Sequence, residues 1–211
     1  VKIVEPSANI IENELSELSV YQRIDYCSSI CYQRPAKATD EEAQKFCKQM
    51  LERKHFVPLE MAVVHLVIPG NAKSFDGDKY LIVSDNGKLD VYISGSIRAF
   101  MESKNPAIQW IKGDFLTENF PLFFDKGEKT YKLGIRFAEP HEIPWQHKHV
   151  AVRVICNRAI SHQLVRHRPV SILQESQRYC RYTAERFEGE ISYIRPMWAD
   201  KSKYLFGLWH G

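Results

Sequence analysis

Apolar residues recur along this chain at two periods, and the switch between them predicts most of its elements. From Thr39 to Lys54 the residues Ala43, Phe46, Cys47, Met50 and Leu51 fall on one stripe of a helix. Thr39 stands at its N-cap with Glu42 three residues on, the spacing of a capping box. Residues 20–33 carry Ile24, Cys27, Ile30 and Cys31 at the same helical spacing, and Pro35 ends that helix because it cannot continue the hydrogen-bond ladder. Ahead of it, Lys2-Ile3-Val4 reads as a strand or lead-in, followed by a polar helix. Ala62 to Ile68 is an apolar run of strand length, broken only by His65 and stopped by Pro69-Gly70.

The downstream half follows the same rules. Residues 71–78 read as a polar loop. Tyr80–Ser84 and Leu89–Ser94 flank Asp85-Asn86-Gly87-Lys88, whose Asn-Gly pair tolerates positive φ, so the stretch is predicted as a β-hairpin. Ser96–Glu102 is predicted as a short helix, 104–128 as irregular with helical turns, Thr130–Phe137 as a strand and Glu139–Gln146 as a loop. Val150–Ile155 is a predicted strand. Asn157 then caps a helix running to about Arg168, with Ala159, Ile160 and Leu164 facing inward. The sum is an α+β fold: an antiparallel or mixed sheet with helices packed on one side and an inserted β-hairpin region.

Composition narrows the class. The 211 residues suit a single domain, 1–211, and 44% hydrophobic content with 12% aromatic residues is enough for a packed core. A net charge of +3 fits phosphate-bearing ligands and does not argue for a nucleic acid polymer as partner. The five cysteines include no C-x-x-C pair, which excludes a zinc ribbon or thioredoxin motif. Reduced thiols in a cytoplasmic protein are the plain expectation. No apolar run reaches the length of a membrane span, so no membrane partner is expected. His65, His141, His147 and His149 offer no third ligand at a credible spacing, so no metal is expected and these histidines read as solvated or interfacial. Phe120, Phe123 and Phe124 read as core or subunit interface, and Lys201-Ser202-Lys203 as a solvated end. The chain starts at Val1 and closes on the apolar run Leu205-Phe206-Gly207-Leu208-Trp209, from which further sequence is expected beyond Gly211.

Charge is concentrated in one place. Arg166 to Tyr182 reads RHRPVSILQESQRYCRY and holds four arginines, Arg166, Arg168, Arg178 and Arg181, beside His167; its one acid is Glu175. Four positive and one negative give +3, the net charge of the whole chain. Gln163, Arg166 and His167 are spaced i, i+3 and i+4, one face of the predicted helix. A carboxamide beside a guanidinium donates to and accepts from a heterocycle edge. Ser176 and Arg178 sit at a break in the helical pattern, where a hydroxyl, a guanidinium and free backbone N–H groups suit a phosphate. This describes a pocket that reads a base at one end and a phosphate at the other. The plainer alternative is a set of surface charges with His167 as a satisfied interfacial histidine. Cys180, between arginines, reads as a packing thiol.

Arg166-His167-Arg168, then seven residues, then Ser176, resembles the signature of the flavin-dependent thymidylate synthases. Its flanks agree: Ser161-His162-Gln163-Leu164-Val165 before it and Gln177-Arg178-Tyr179 after it. Upstream, His55-Phe56-Val57-Pro58-Leu59-Glu60 is similar to the segment that usually ends Pro-Leu-Glu-His, and Ile30-Cys31-Tyr32 is a weaker third element. The resemblance implies FAD as cofactor, NADPH and methylenetetrahydrofolate as co-substrates, and reductive methylation of dUMP to dTMP. It implies a homotetramer with active sites shared between subunits. It places Gln163, Arg166, Gln174, Ser176, Gln177 and Arg178 on dUMP, with Arg166, Ser176 and Arg178 as the catalytic set. It places Cys31, His55, Val57, Glu60, Arg166, His167, Arg168 and Pro169 on FAD. No G-x-G-x-x-G or P-loop occurs, so a Rossmann mode of holding FAD is not available.

The chain departs from the pattern in four ways. Met61 stands where a histidine is common, and Val57 where a small polar residue is usual. Residues 69 to about 147 read as an insertion. The region that in the family carries an arginine for uracil N3 and further FAD contacts would follow Gly211. Two other readings follow from these departures and from the basic charge: a catalytically impaired homologue that binds nucleotide or serves as an assembly subunit, and a basic RNA-binding module.

Overall fold

The computed structural model describes residues 2–75, 77–85, 89–125, 134–178, 180, 182, 184 and 191–196. In chain order its strands and helices are β1 (Lys2–Val4), β2 (Ser7–Ile10), α1 (Glu12–Ser16), α2 (Val20–Tyr32), α3 (Asp40–Glu52), β3 (Val63–Pro69), β4 (Ile82–Asp85), β5 (Asp90–Ser96), α4 (Ile97–Glu102), α5 (Pro106–Ile111), α6 (Thr117–Asn119), β6 (Arg136–Phe137), β7 (Val152–Ile155), α7 (Arg158–Leu164) and β8 (Ser192–Ile194). The fold is α+β, as the periodicities predict. The chain divides into two compact units.

The larger unit spans residues 18–30 and 34–149. Its sheet has the order β4-β5-β3-β6 and is antiparallel throughout. β3 and β5 pair over seven residues from Val63↔Ser96 to Pro69↔Asp90, and β4 adds to β5 from Ile82↔Ser94 to Asp85↔Val91. The predicted hairpin therefore forms; its turn, Asn86-Gly87-Lys88, lies outside the described residues. Alternation decides what each strand buries: Val64, Leu66 and Ile68 of β3 and Val91 and Ile93 of β5 go into the core. Gly95 leaves room for Leu81, whose Cδ2 lies 2.4 Å from where a Cβ would stand, so a larger residue there would have to displace the Leu81 side chain.

The helices of this unit owe their bounds to caps. Thr39 Oγ1 accepts from the Glu42 N–H at 3.3 Å, and α3 buries Ala43, Cys47 and Met50. Ser96 and Asn105 cap α4 and α5 in the same way. The segment 104–128 holds more helix than its mixed sequence suggests: α5 runs through a wide π-type turn, Lys112–Leu116, into α6. Phe123 and Phe124 are core residues, packed with Tyr21, Ile24, Leu59, Phe100, Ile108 and Leu116. The 71–78 stretch is less polar than it reads, because a 3-10 turn over Ala72–Phe75 buries Phe75. Asp25 is fully buried; its carboxylate accepts from the Arg34 guanidinium and from the Lys37 N–H, which fastens the chain between α2 and α3.

The smaller unit spans residues 1–17, 31–33 and 150 onward. It has two short ladders, β1 parallel to β8 and β2 antiparallel to β7. Among its described residues, buried apolar side chains are few: Ile11, Leu15 and Cys180. The expectation that Ala159, Ile160 and Leu164 face inward is corrected, since α7 buries none of its residues. The expected helix to Arg168 is also shorter, ending at Leu164. Pro169 disfavours helical backbone at Arg168, and no packing holds the last turn in place. Of the predicted 130–137 strand only Arg136–Phe137 is seen, and residues 126–133 lie outside the described set.

Candidate functional site

In the smaller unit the arginine-rich segment follows α7 as irregular chain from Val165 to Arg178. Asn157 caps α7, its side chain accepting from the Ile160 N–H at 3.0 Å. Gln163 lies on α7; Arg166 and His167 follow in turns closed by their N–H groups onto the Gln163 and Leu164 carbonyls. The three residues are neighbours, but the helical face that was to unite them ends before Arg166. Gln163, Arg166, His167, Arg168, Pro169, Gln177 and Arg178 are exposed. Among the described residues, the side chains of Arg166, His167, Arg168 and Arg178 make no hydrogen bond or ion pair, so their donors are available to a ligand.

The other polar residues of the segment are held by a network. Gln174 Nε2 donates to Ser161 Oγ at 2.6 Å, and Gln177 Oε1 accepts from the Arg158 guanidinium. Glu175 accepts from Gln33 Nε2 at 2.8 Å and from the Tyr182 hydroxyl. Burial and then this bond to Glu175 push the Tyr182 hydroxyl above the ordinary tyrosine range. Gln33 adopts φ +45°, the left-handed region, and thereby follows α2 directly into the network. Neither Arg158 nor Gln33 stood out in the sequence, because each is a single polar residue far along the chain from its partner.

Ser176 corrects one expectation. Its backbone N–H is not free for a phosphate: it donates to the Cys31 carbonyl at 3.0 Å. The Cys180 N–H donates in turn to the Ser176 carbonyl at 3.0 Å, and the Cys180 thiol reaches the same Cys31 carbonyl at 3.6 Å. Cys180 is buried and structural, as read, and burial raises the half-buried Cys31 thiol above its ordinary range. The anion-binding capacity of this turn therefore rests on side chains. Tyr179 and Arg181 lie outside the described residues.

His55, Val57 and Glu60 belong to the larger unit. His55 and Val57 are exposed at the end of α3 and the start of a 3-10 turn, Val57–Met61. Glu60 is half-buried and pairs with Arg98 at 2.7 Å, while Arg98 also reaches Glu102 at 2.7 Å. Met61 closes the same turn.

Of the histidines read as solvated or interfacial, His141 and His149 are exposed, while His147 and His65 are not. His147 is buried, with Nε2 and Nδ1 each 2.8 Å from a serine hydroxyl, Ser84 of β4 and Ser94 of β5. His65 packs at 5.7 Å from the His149 ring, and its buried Nδ1 has no partner. Burial first, then His149 and His147, lowers the His65 pKa to about 4. Paired serines and a strand address explain His147 as a bridge across the hairpin, a role that spacing along the chain does not reveal. Among the described residues no group of three or more potential ligands is placed to hold a metal ion, and no helix is long and apolar enough to cross a membrane.

No curated protein and no solved structure matches the chain. A family model does: thymidylate synthase complementing protein, over residues 122–206, fewer than half of the 211. The match opens at Leu122, takes in α7 and the whole arginine-rich segment, and leaves His55 to Glu60 outside it. Over that span the chain is similar to the thymidylate synthase complementing protein family.

Proposed function

We propose that this protein carries out FAD-dependent reductive methylation of dUMP to dTMP, with methylenetetrahydrofolate as carbon donor and NADPH as electron source. The observation that carries the reading is the set of unpartnered guanidinium groups, Arg166, Arg168 and Arg178, on the segment that matches the family. Arginine stays charged at any working pH and grips phosphate oxygens in a bidentate fork. In this reading Arg178 and Ser176 Oγ take the dUMP phosphate, and Gln163, Gln174 and Gln177 meet the uracil edge. Arg166 faces the ring oxygens, where charge develops as C5 is activated; a fixed cation there lowers the barrier without reorganisation.

The donor set also fits a dinucleotide cofactor: Arg166, His167 and Arg168 offer exposed donors to a pyrophosphate, and Pro169 stiffens the chain beside them. FAD when bound supplies the hydride that completes the methyl group.

The same unit lends support to self-association: Ile10, Val152, Val154, Ile160, Leu164 and Val170 are all exposed there. A homotetramer with shared active sites would cover them. All five cysteines are free thiols, which supports a reducing, cytoplasmic setting.

The test is release of tritium from [5-³H]dUMP by the purified chain supplied with FAD, NADPH and methylenetetrahydrofolate. Release that depends on all three supports the reading. Nucleotide binding without release favours a catalytically impaired homologue or assembly subunit. Failure to take up FAD or dUMP contradicts both.

A further inference from the structure

The end of α2 leaves one carbonyl without a helical donor. Gln33 takes the left-handed conformation at φ +45°, and the Arg34 N–H closes back onto the Ser29 carbonyl at 3.2 Å, the bond of a Schellman helix end. In an unbroken helix the Cys31 carbonyl would accept from the residue four places on. That residue is Pro35, which has no N–H. Donors from the arginine-rich segment take its place. The Ser176 N–H donates to the Cys31 carbonyl at 3.0 Å, and the Cys180 thiol reaches the same oxygen at 3.6 Å. The Cys180 N–H closes onto the Ser176 carbonyl at 3.0 Å, so both ends of the turn 176–180 rest on one acceptor, with Arg178 at its middle. Gln33 adds a side-chain hold. Its Nε2 donates at 2.8 Å to Glu175, the residue before Ser176, and the other oxygen of Glu175 accepts from the Tyr182 hydroxyl.

We infer that Gln33 is a positioning residue for the anion site: with the Cys31 carbonyl it seats the turn 176–180 and thereby fixes where the Ser176 hydroxyl and the Arg178 guanidinium stand. This rests on the reading above that these two groups take the phosphate of dUMP. An exposed arginine on irregular chain has both side-chain and backbone freedom to lose on binding. A turn fastened at both ends has already lost the backbone part, and the smaller loss on binding appears as affinity. Gln33 touches no ligand in this role. Its conformation is the signal, because a glutamine at positive φ is strained where a glycine would be free, and what the glutamine adds over glycine is the side chain that reaches Glu175.

The experiment measures dUMP binding by calorimetry and Ser176 amide exchange by NMR on the full chain supplied with FAD. The proteins compared are wild type, Gln33→Gly, Gln33→Glu, and the exchanged pair Gln33→Glu with Glu175→Gln. Gln33→Gly suits the backbone and removes the hold on Glu175 without changing charge; Gln33→Glu sets two carboxylates together. Each should weaken dUMP binding about three- to tenfold, the worth of one net hydrogen bond, and speed Ser176 exchange by a similar factor. The urea midpoint of Gln33→Gly should hold, because the backbone strain it relieves offsets the bond it loses. The exchanged pair rebuilds that bond with donor and acceptor reversed, and should bring both readings back to within about twofold of wild type. Affinity and exchange unchanged in Gln33→Gly, or no recovery in the exchanged pair, overturns the inference. Exchange that follows the variants in a protein that binds no dUMP overturns the uridylate reading instead and leaves the anchored turn standing.

Discussion

The two units of this chain solve opposite problems. The larger one closes on itself: a four-stranded antiparallel sheet and its helices bury Phe100, Leu59, Ile93, Ile97, Ile108 and Leu116 completely. The smaller one has two-stranded ladders, a seven-residue helix with nothing buried, and an apolar surface that stays in water. The arginine-rich segment, which falls inside the family-model match over residues 122–206, lies on the second. A packed core is low-risk because every side chain already has partners. A binding segment must keep its partners for something else, and here the unpartnered guanidinium groups and the uncovered apolar face occur on the same unit.

Truncations in the two units should separate this contrast most sharply. Phe100→Ala removes a fully buried ring and is expected to cost about 3–5 kcal/mol in urea denaturation. Val152→Ala, on β7, is expected to stay within about 0.5 kcal/mol, while Val152→Lys should shift the particle to a smaller assembly in light scattering. Equal destabilisation by Phe100→Ala and Val152→Ala would erase the distinction between the units.

Helix caps give a finer comparison, since Thr39 and Asn157 use the same chemistry on helices of different burial. Thr39→Ala should lower global stability by about 1 kcal/mol, because α3 is part of the core. Asn157→Ala should instead speed amide exchange along α7 while leaving the denaturation midpoint in place, because local fraying of an unpacked helix costs the fold nothing. A global loss from Asn157→Ala would mean that α7 is packed after all.

A further comparison concerns pH. Burial holds the folded-state pKa of His65 at about 4, below its ordinary value of 6.5, so the unfolded chain binds the extra proton first. The stability this contributes is present above about pH 6.5 and is lost as the pH falls toward 4. Urea midpoints at pH 7, 6 and 5 should decline in wild type and decline less in His65→Gln. Parallel profiles would remove His65 from the account.

The contrast also explains what could be read from the sequence. α3, β3 and the β4–β5 hairpin were legible because period, cap and turn residues agree, and the core rewards that agreement. The arginine segment was legible as chemistry, since four arginines and one acid in seventeen residues need no structure to be noticed. Its shape was not. Helical spacing shows where apolar residues fall, and on α7 the described residues bury none of them. The Ser176 N–H looked free because its acceptor, the Cys31 carbonyl, belongs to a residue some 150 positions away that also receives the Cys180 thiol, 149 apart. The bonds that join Gln174 to Ser161 and Gln177 to Arg158 were hidden too, because they depend on how the following chain folds back on α7.

The central claim is that this segment grips a uridylate beside a flavin, and the flavin itself reports on it. Titrating dUMP into the FAD-loaded protein should perturb the flavin absorbance band. Arg178→Ala should keep the far-ultraviolet spectrum and the bound FAD, and should need about 10- to 100-fold more dUMP for the same perturbation. A protein that takes up no FAD, or a titration with the same midpoint in wild type and Arg178→Ala, would contradict the account.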